Sequence, residues 1–283
     1  MSALTETFPL NGGTAIPKLG FGTWLLKEGD ECYGAVAAAL AAGYRHIDTA
    51  RAYHNEASVG RAVRDSGIPR EEIYITSKVP AEAKSYEAAV EQFGITVSEI
   101  GLDYLDLLLI HAPWPWDEMG KDCREENKEV WRAMEEFLAD GRVKAIGVSN
   151  FTRPDLESLL PACTTIPAVD QIQWYIGHDV ADTVAACAEH GIVVEAYSPF
   201  AHGRIVNHPD IVDMGTRYGV SAPQLSIRYL LQKGAVPLPK ATSAQHIAAN
   251  TKVDFVISDA DMAVLDGMHD TESHAEAATF RWS

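Results

Sequence analysis

Along the chain, short apolar runs rich in β-branched residues alternate with longer stretches whose apolar positions recur every three or four residues. Eight short runs read as strands: Leu19–Trp24, Tyr44–Asp48, Ile73–Val79, Leu105–His111, Val143–Ser149, Ala168–Ile172, Ile192–Tyr197 and Ala235–Pro239. Helices are predicted between them over Asp30–Ala42, Asn55–Ser66, Ser85–Ile100, Arg124–Ala139, Arg153–Leu160, Val180–His190 and Ser221–Lys233, the last preceded by a shorter Pro209–Tyr218. Gly43, Gly67, Gly101, Gly141, Gly191 and Gly234 each follow a helical stretch, where a helix leaves through a residue with positive φ. Ahead of the first strand, Thr7–Leu10 and Thr14–Ile16 flank Asn11-Gly12-Gly13, a hairpin signal.

Strands that alternate with helices imply parallel pairing, because each return to the sheet needs a crossover. Eight such strands most simply close into an α/β (β/α)8 TIM barrel. An open doubly wound sheet competes, but Gly20-Phe21-Gly22 lies inside a strand-like run and lacks the third glycine of a dinucleotide fingerprint. No linker or repeat divides the 283 residues, so one barrel domain spanning 1–283 is expected.

Composition adds exclusions. With 40 Asp+Glu against 23 Lys+Arg, the formal net charge of −17 disfavours a nucleic-acid partner. No run approaches the about 20 apolar residues of a membrane span, and MSALTETFPLNGG lacks the form of a secretory signal. Cys32, Cys123, Cys163 and Cys187 show no paired spacing, as in a reducing cytosol, so a cytoplasmic protein is expected.

In a barrel of this kind the chemistry sits at the C-terminal strand ends. Polar groups recur there: Asp48 with Tyr53 in the loop beyond, Lys78, His111, Ser149-Asn150, Gln171, Tyr197-Ser198 and Lys240. A phenol with a pKa of about 10 holds its proton at neutral pH, and a nearby cation makes the phenolate more accessible. Lys78 supplies such a cation, Asp48 keeps it charged, and His111 offers a hydrogen bond to a substrate oxygen. The set suits protonation of a carbonyl oxygen while a bound reductant attacks the carbon. Two alternatives remain open on these residues: Lys78 as a Schiff-base lysine, and Asp48–Lys78 as a structural ion pair. The dispersed histidines show no metal-ligand spacing, and no G-x-S-x-G elbow is present.

Three segments resemble the signatures of the aldo-keto reductases. They are Gly43-Tyr44-Arg45-His46-Ile47-Asp48-Thr49-Ala50 with Glu56 and Val59-Gly60, Lys144 to Phe151 (KAIGVSNF), and Leu238-Pro239-Lys240 with Asn250. The resemblance runs over nearly the whole chain and implies a hairpin plugging the barrel bottom, a short C-terminal tail over the active-site face, and NADPH-dependent reduction of aldehydes and ketones, reversible as alcohol oxidation. It implies Tyr53 as general acid, Lys78 as the group that lowers its pKa, Asp48 as the partner of Lys78, and His111 as the residue that orients a small carbonyl substrate. For the coenzyme it implies Gly22, Thr23, Asp48, Ser149, Asn150, Gln171 and a stacking Tyr197. It adds a pyrophosphate loop with Ser198, Pro199, Phe200 and Gly203, and an adenosine end with Lys240, Thr242, His246 and Asn250. No metal is implied, and a monomer is expected. A structural or regulatory binding protein built on the same barrel is the alternative of a different class.

The departures from the family pattern bear on selectivity. Ala241 follows Lys240 where the family has Ser or Thr, His246 stands where it has Arg, and Ala249 stands where it often has Glu. Histidine lacks the permanently charged fork of arginine, so NADPH is expected with a reduced preference over NADH. Two tryptophans of the family pocket are Ala112 and Pro80 here, leaving Trp24, Trp114, Trp116 and, in the tail, Phe280 and Trp282 as walls for the substrate beside Tyr53 and His111. Within the family the chain most resembles the microbial 2,5-diketogluconate reductase branch.

Overall fold

The computed structural model describes residues 2–274. A two-stranded antiparallel hairpin, β1 (Thr7–Pro9) and β2 (Ala15–Pro17), precedes an eight-stranded parallel sheet. The sheet comprises β3 (Phe21–Gly22), β4 (His46–Asp48), β5 (Tyr74–Val79), β6 (Leu107–Ile110), β7 (Ile146–Ser149), β8 (Val169–Gln173), β9 (Val193–Tyr197) and β10 (Val236–Leu238), neighbours following chain order. The first and last strands also meet, since Gly20 N–H donates to Pro237 O and Gly22 N–H to Pro239 O, both at 3.1 Å. The sheet therefore closes into a barrel.

Helices α1 (Asp30–Ala41), α2 (Glu56–Asp65), α3 (Tyr86–Ile100), α4 (Arg124–Ala139), α5 (Arg153–Leu159), α6 (Ala181–Glu189), α7 (Pro209–Arg217) and α8 (Ala222–Gln232) lie close to their expected bounds. Two short helices were not foreseen, α9 (Ala244–Ala249) and α10 (Asp259–Asp266). The strands are shorter than the apolar runs; Leu19–Trp24 yields only Phe21–Gly22. The runs continue past the paired segments because the residues beyond them are still buried, as Leu19, Thr23, Leu105 and His111 are. Among the described residues no helix is long and apolar enough to cross a membrane.

Burial falls into two apolar clusters. The larger joins the outer strand faces to the helices. The smaller fills the barrel with Tyr74, Leu107, Leu109, Val169, Val236 and Leu238, and the hairpin contributes Leu10 and Ile16 to it. Two signature glycines serve this packing. A Cβ on Gly147 would stand 2.5 Å from Val169 O and 2.8 Å from a Leu109 methyl, and one on Gly60 would stand 1.7 Å from Ile100 O. The other signature residue on α2, Glu56, is buried and accepts from Ser77 Oγ at 2.5 Å, tying α2 to β5.

Because strand side chains alternate, the inward set continues upward from the apolar layer as polar residues. His46 and Asp48 come from β4, Thr76 and Lys78 from β5, Gln171 from β8, and Glu195 and Tyr197 from β9. Register places Ser149 beside Gln171 and Gln171 beside Glu195, three polar residues in a row across β7, β8 and β9.

Candidate active site

At the C-terminal rim, Lys78 is fully buried and its ammonium donates to Asp48 Oδ1 at 2.9 Å, Asp48 Oδ2 at 2.7 Å and Thr49 O at 2.9 Å. The Tyr53 hydroxyl lies 3.4 Å from the same nitrogen. Tyr53 reaches this point from a short 3₁₀ turn, Arg51–Tyr53, directly after β4. The His111 ring meets Tyr53 edge to face, with centroids 5.5 Å apart, and meets Trp116 likewise at 5.3 Å. All four candidates thus converge on one point.

The electrostatics sharpen and partly correct the expected roles. Burial, followed by the carboxyls of Asp48 and Glu195, holds the Tyr53 phenol well above its ordinary range. The sequence-based expectation was the opposite direction, with Lys78 pulling the phenol down. Burial is the larger cause, and with both carboxylate oxygens of Asp48 on the ammonium Tyr53 faces a compensated pair rather than a bare cation. Tyr53 therefore stands as a fully protonated phenol. Burial, with Lys78 behind it, keeps His111 well below its usual pKa, so the imidazole is neutral and its buried Nδ1 has no hydrogen-bond partner among the described residues.

A cleft of about 920 Å³ opens over these groups, and Asp48, Tyr53 and His111 line it. Along it run Gly22, Trp24, Ser149, Asn150, Gln171, Tyr197, Ser198, Pro199, Phe200, Gly203 and Lys240, all anticipated from sequence. The polar floor is knitted together. Ser149 Oγ donates to Gln171 O at 2.8 Å, Asn150 Nδ2 donates to His111 O and Ser149 Oγ at 3.0 Å each, and Tyr197 Oη donates to Asn150 Oδ1 at 2.8 Å. Leu25, Asn150, Ser198 and His202 line the cleft with φ of 65°, 62°, 50° and 57°, a concentration of left-handed non-glycine backbone at one place. The loop after β9 ends in a 3₁₀ turn, Ala201–Gly203, rather than in a longer helix.

Other expected residues stand apart. Thr23 is buried and donates to Asp48 O at 2.9 Å, so it supports the turn and does not line the cleft. Trp114 packs edge to face on Trp116, centroids 5.1 Å apart, and Trp116 takes the wall position. Thr242 and His246 are exposed beyond Lys240 and Asn250 is buried; none of the three lines the cleft. Phe280 and Trp282 lie outside the described residues.

Several residues escaped the sequence reading. Leu25, Ala52, Glu82 and Asp117 also line the cleft, beside His202 of the pyrophosphate loop and Leu238 of the third signature. Lys84 donates at 2.8 Å to Ala112 O and to Asn127 Oδ1, fastening the loop that follows His111. Asp170 on β8 is completely buried, accepts from the Phe151 N–H next to Asn150, and is pushed up to about 8 by burial. Only a charged residue inside an apolar strand signalled Asp170.

Its titration has a consequence for stability. A carboxyl whose folded pKa is raised above its unfolded value of 3.8 stabilises the fold while protonated, and that contribution is lost as pH rises from about 4 through about 8. Asp170→Asn keeps an acceptor for Phe151 and removes the titration. Its melting temperature relative to the unmodified protein is expected to rise from pH 5 to pH 8.5; a difference independent of pH would remove this account of Asp170.

A closed parallel barrel thus carries at its C-terminal rim a Tyr–Lys–Asp–His group suited to protonating a carbonyl oxygen. Comparison with known proteins agrees: the model of the aldo/keto reductase family matches residues 18–270. Aldehyde reductase YPR1 of Saccharomyces cerevisiae is 38% identical over 302 residues, covering 98% of this chain and 95% of its own length. Glyoxal reductase of Bacillus subtilis is 36% identical over 272 residues, covering 96% and 95%. Among solved structures, a Bombyx mori aldo-keto reductase in complex with NADP superposes with a TM-score of 0.84 at 32% identity, covering 94% of this chain and 93% of that one. The chain belongs to the aldo/keto reductase family. It is an NADP-dependent oxidoreductase that reduces carbonyl groups to alcohols.

Proposed function

We propose that the cleft reduces small aldehydes and α-dicarbonyls, with Tyr53 donating the proton to the carbonyl oxygen. The observation that supports this most is the 3.4 Å approach of the Tyr53 hydroxyl to a lysine ammonium that Asp48 holds in the barrel interior. The residues present fit a dinucleotide. About 920 Å³ is near the upper end for a small-molecule site and far more than a small aldehyde fills, and the cleft reaches from His111 past Gln171 and Tyr197 to exposed Lys240. Ser149, Asn150 and Gln171 would hold the carboxamide, Tyr197 the nicotinamide ring, the loop from Ser198 to Gly203 the pyrophosphate, and Lys240 with Thr242 and His246 the adenosine phosphate. When bound, the coenzyme supplies the hydride for the carbonyl carbon.

The protein's own part is positioning and charge. His111, neutral and open to the cleft, hydrogen-bonds the carbonyl oxygen and sets it beside the Tyr53 hydroxyl. As negative charge grows on that oxygen, Tyr53 releases its proton, and Lys78 stabilises the phenolate left behind. A phenol held protonated suits this direction. The same arrangement disfavours an amine nucleophile at residue 78, because the ammonium donates to two carboxylate oxygens and a backbone carbonyl with no exposed surface. Trp24, Leu25 and Trp116 form the walls for the substrate, and neither Pro80 nor Ala112, where the family has indoles, lines the cleft. The dicarbonyl class is supported by the likeness to glyoxal reductase and by the resemblance to the 2,5-diketogluconate reductase branch.

NADPH oxidation with a panel of aldehydes and α-dicarbonyls tests this reading; turnover on none of them would end it. For the coenzyme, exposed Lys240 and the Arg-to-His departure at His246 support a loose clamp on the 2′-phosphate. The ratio of kcat/KM for NADPH over NADH is expected to stay below about a thousandfold, about 4 kcal/mol, and a larger ratio contradicts it.

A further inference from the structure

Beneath the cleft floor the barrel interior holds polar groups that the four catalytic candidates leave unexplained. Gln171 Nε2 lies 2.9 Å from Asp48 Oδ2 and 2.8 Å from Glu195 Oε2, donating to both. A primary amide nitrogen carries two hydrogens, so both are spent inside the barrel. Asp48 is paired with Lys78 and only accepts, so turning the amide over would set a carbonyl oxygen against a carboxylate. The Gln171 group left for the cleft is its carbonyl oxygen, and Gln171 lines the cleft.

Glu195 is itself fully buried, and its position is built rather than incidental. It is the register partner of Gln171 on the neighbouring strand. Its second oxygen lies 3.5 Å from His46 Nε2, which in turn meets Thr76 Oγ1 at 3.0 Å. Burial holds the Glu195 carboxyl above its usual range and the His46 imidazole below its own, which favours the uncharged form of each. In either protonation state Glu195 can accept from Gln171 through an unprotonated oxygen.

We propose that Glu195 is a positioning residue for the coenzyme: it takes one N–H of the Gln171 amide while Asp48 takes the other, and so fixes the amide carbonyl as the acceptor offered to the nicotinamide carboxamide. Glu195 touches neither coenzyme nor substrate and acts only through Gln171. The inference rests on the proposed placement of the carboxamide at Gln171.

The test is the NADPH dissociation constant of Glu195→Leu, Glu195→Met and Glu195→Gln, read by quenching of tryptophan fluorescence, with melting temperatures from the same samples. The apolar variants should bind NADPH about tenfold more weakly, the cost of one lost buried hydrogen bond, while Glu195→Gln, which keeps an acceptor, stays within about twofold of the unmodified protein. In a Gln171→Leu background the Glu195→Leu change should move the constant by less than about twofold, because the link it acts through is gone. Apolar variants that fold and bind normally would overturn the proposal, as would a Gln variant that binds as weakly as Leu. Failure of both apolar variants to fold beside a stable Gln variant would make Glu195 a residue of barrel stability alone, and also overturn it. Unmodified protein that takes up no NADPH would instead remove the functional reading on which the proposal stands.

Discussion

Tyr53→Phe is expected to reduce kcat/KM for carbonyl reduction by about a hundredfold to ten-thousandfold, the usual worth of a placed general acid. The replacement removes one oxygen and keeps the ring, so the edge-to-face contact with His111 at 5.5 Å survives. The hydroxyl's partner in the interior is Lys78 at 3.4 Å, the longest of that ammonium's contacts, so little stability depends on it. The loss should therefore fall on the chemical step, with NADPH affinity nearly unchanged. His111 alone does not replace the phenol. Its imidazole is held neutral by burial and can hydrogen-bond an oxygen, but a neutral N–H is a far poorer proton source.

Lys78→Met is expected to cost both activity and stability. Without the ammonium, Asp48 is a nearly buried carboxylate whose remaining side-chain partner is one N–H of Gln171. Breaking a buried pair from one side typically costs about 3–5 kcal/mol, because the other charge stays behind. Lys78→Met combined with Asp48→Asn should recover most of that stability and none of the activity, since the phenolate of Tyr53 still lacks its cation. Thermal melts of both variants, beside kcat/KM, check this. A single variant as stable as the unmodified protein would show that Asp48 does not depend on Lys78.

The barrel is legible in the sequence because polar residues recur at or near the ends of the apolar runs and most of the helices end near a glycine. Those are local signals, and they put Asp48, Lys78, His111 and Tyr197 on one rim before any contact is known. What stays hidden is register. Gln171 and Glu195 lie on different strands and pair only because β8 and β9 align them; nothing in either segment alone fixes that alignment. Val193-Val194-Glu195-Ala196-Tyr197 does carry a hint, since an acid two residues before Tyr197 must share its face. Thr23 and Trp114 show the reverse failure. Both belong to segments that reach the cleft, yet Thr23 turns to the Asp48 carbonyl and Trp114 to a neighbouring indole. The direction of the Tyr53 shift was illegible for a third reason: it depends first on how deeply the phenol is buried and then on the carboxyls of Asp48 and Glu195 near it, which only the folded arrangement reveals.

The most direct measurement is a single turnover: protein loaded with NADPH, mixed rapidly with excess aldehyde, and the coenzyme absorbance followed before any product leaves. Tyr53→Phe protein, shown to be loaded by the same absorbance, is expected to oxidise its NADPH at least about a hundredfold more slowly than the unmodified protein. Equal single-turnover rates in the two would contradict proton delivery by Tyr53, and with it the mechanism built on the buried Lys78–Asp48 pair.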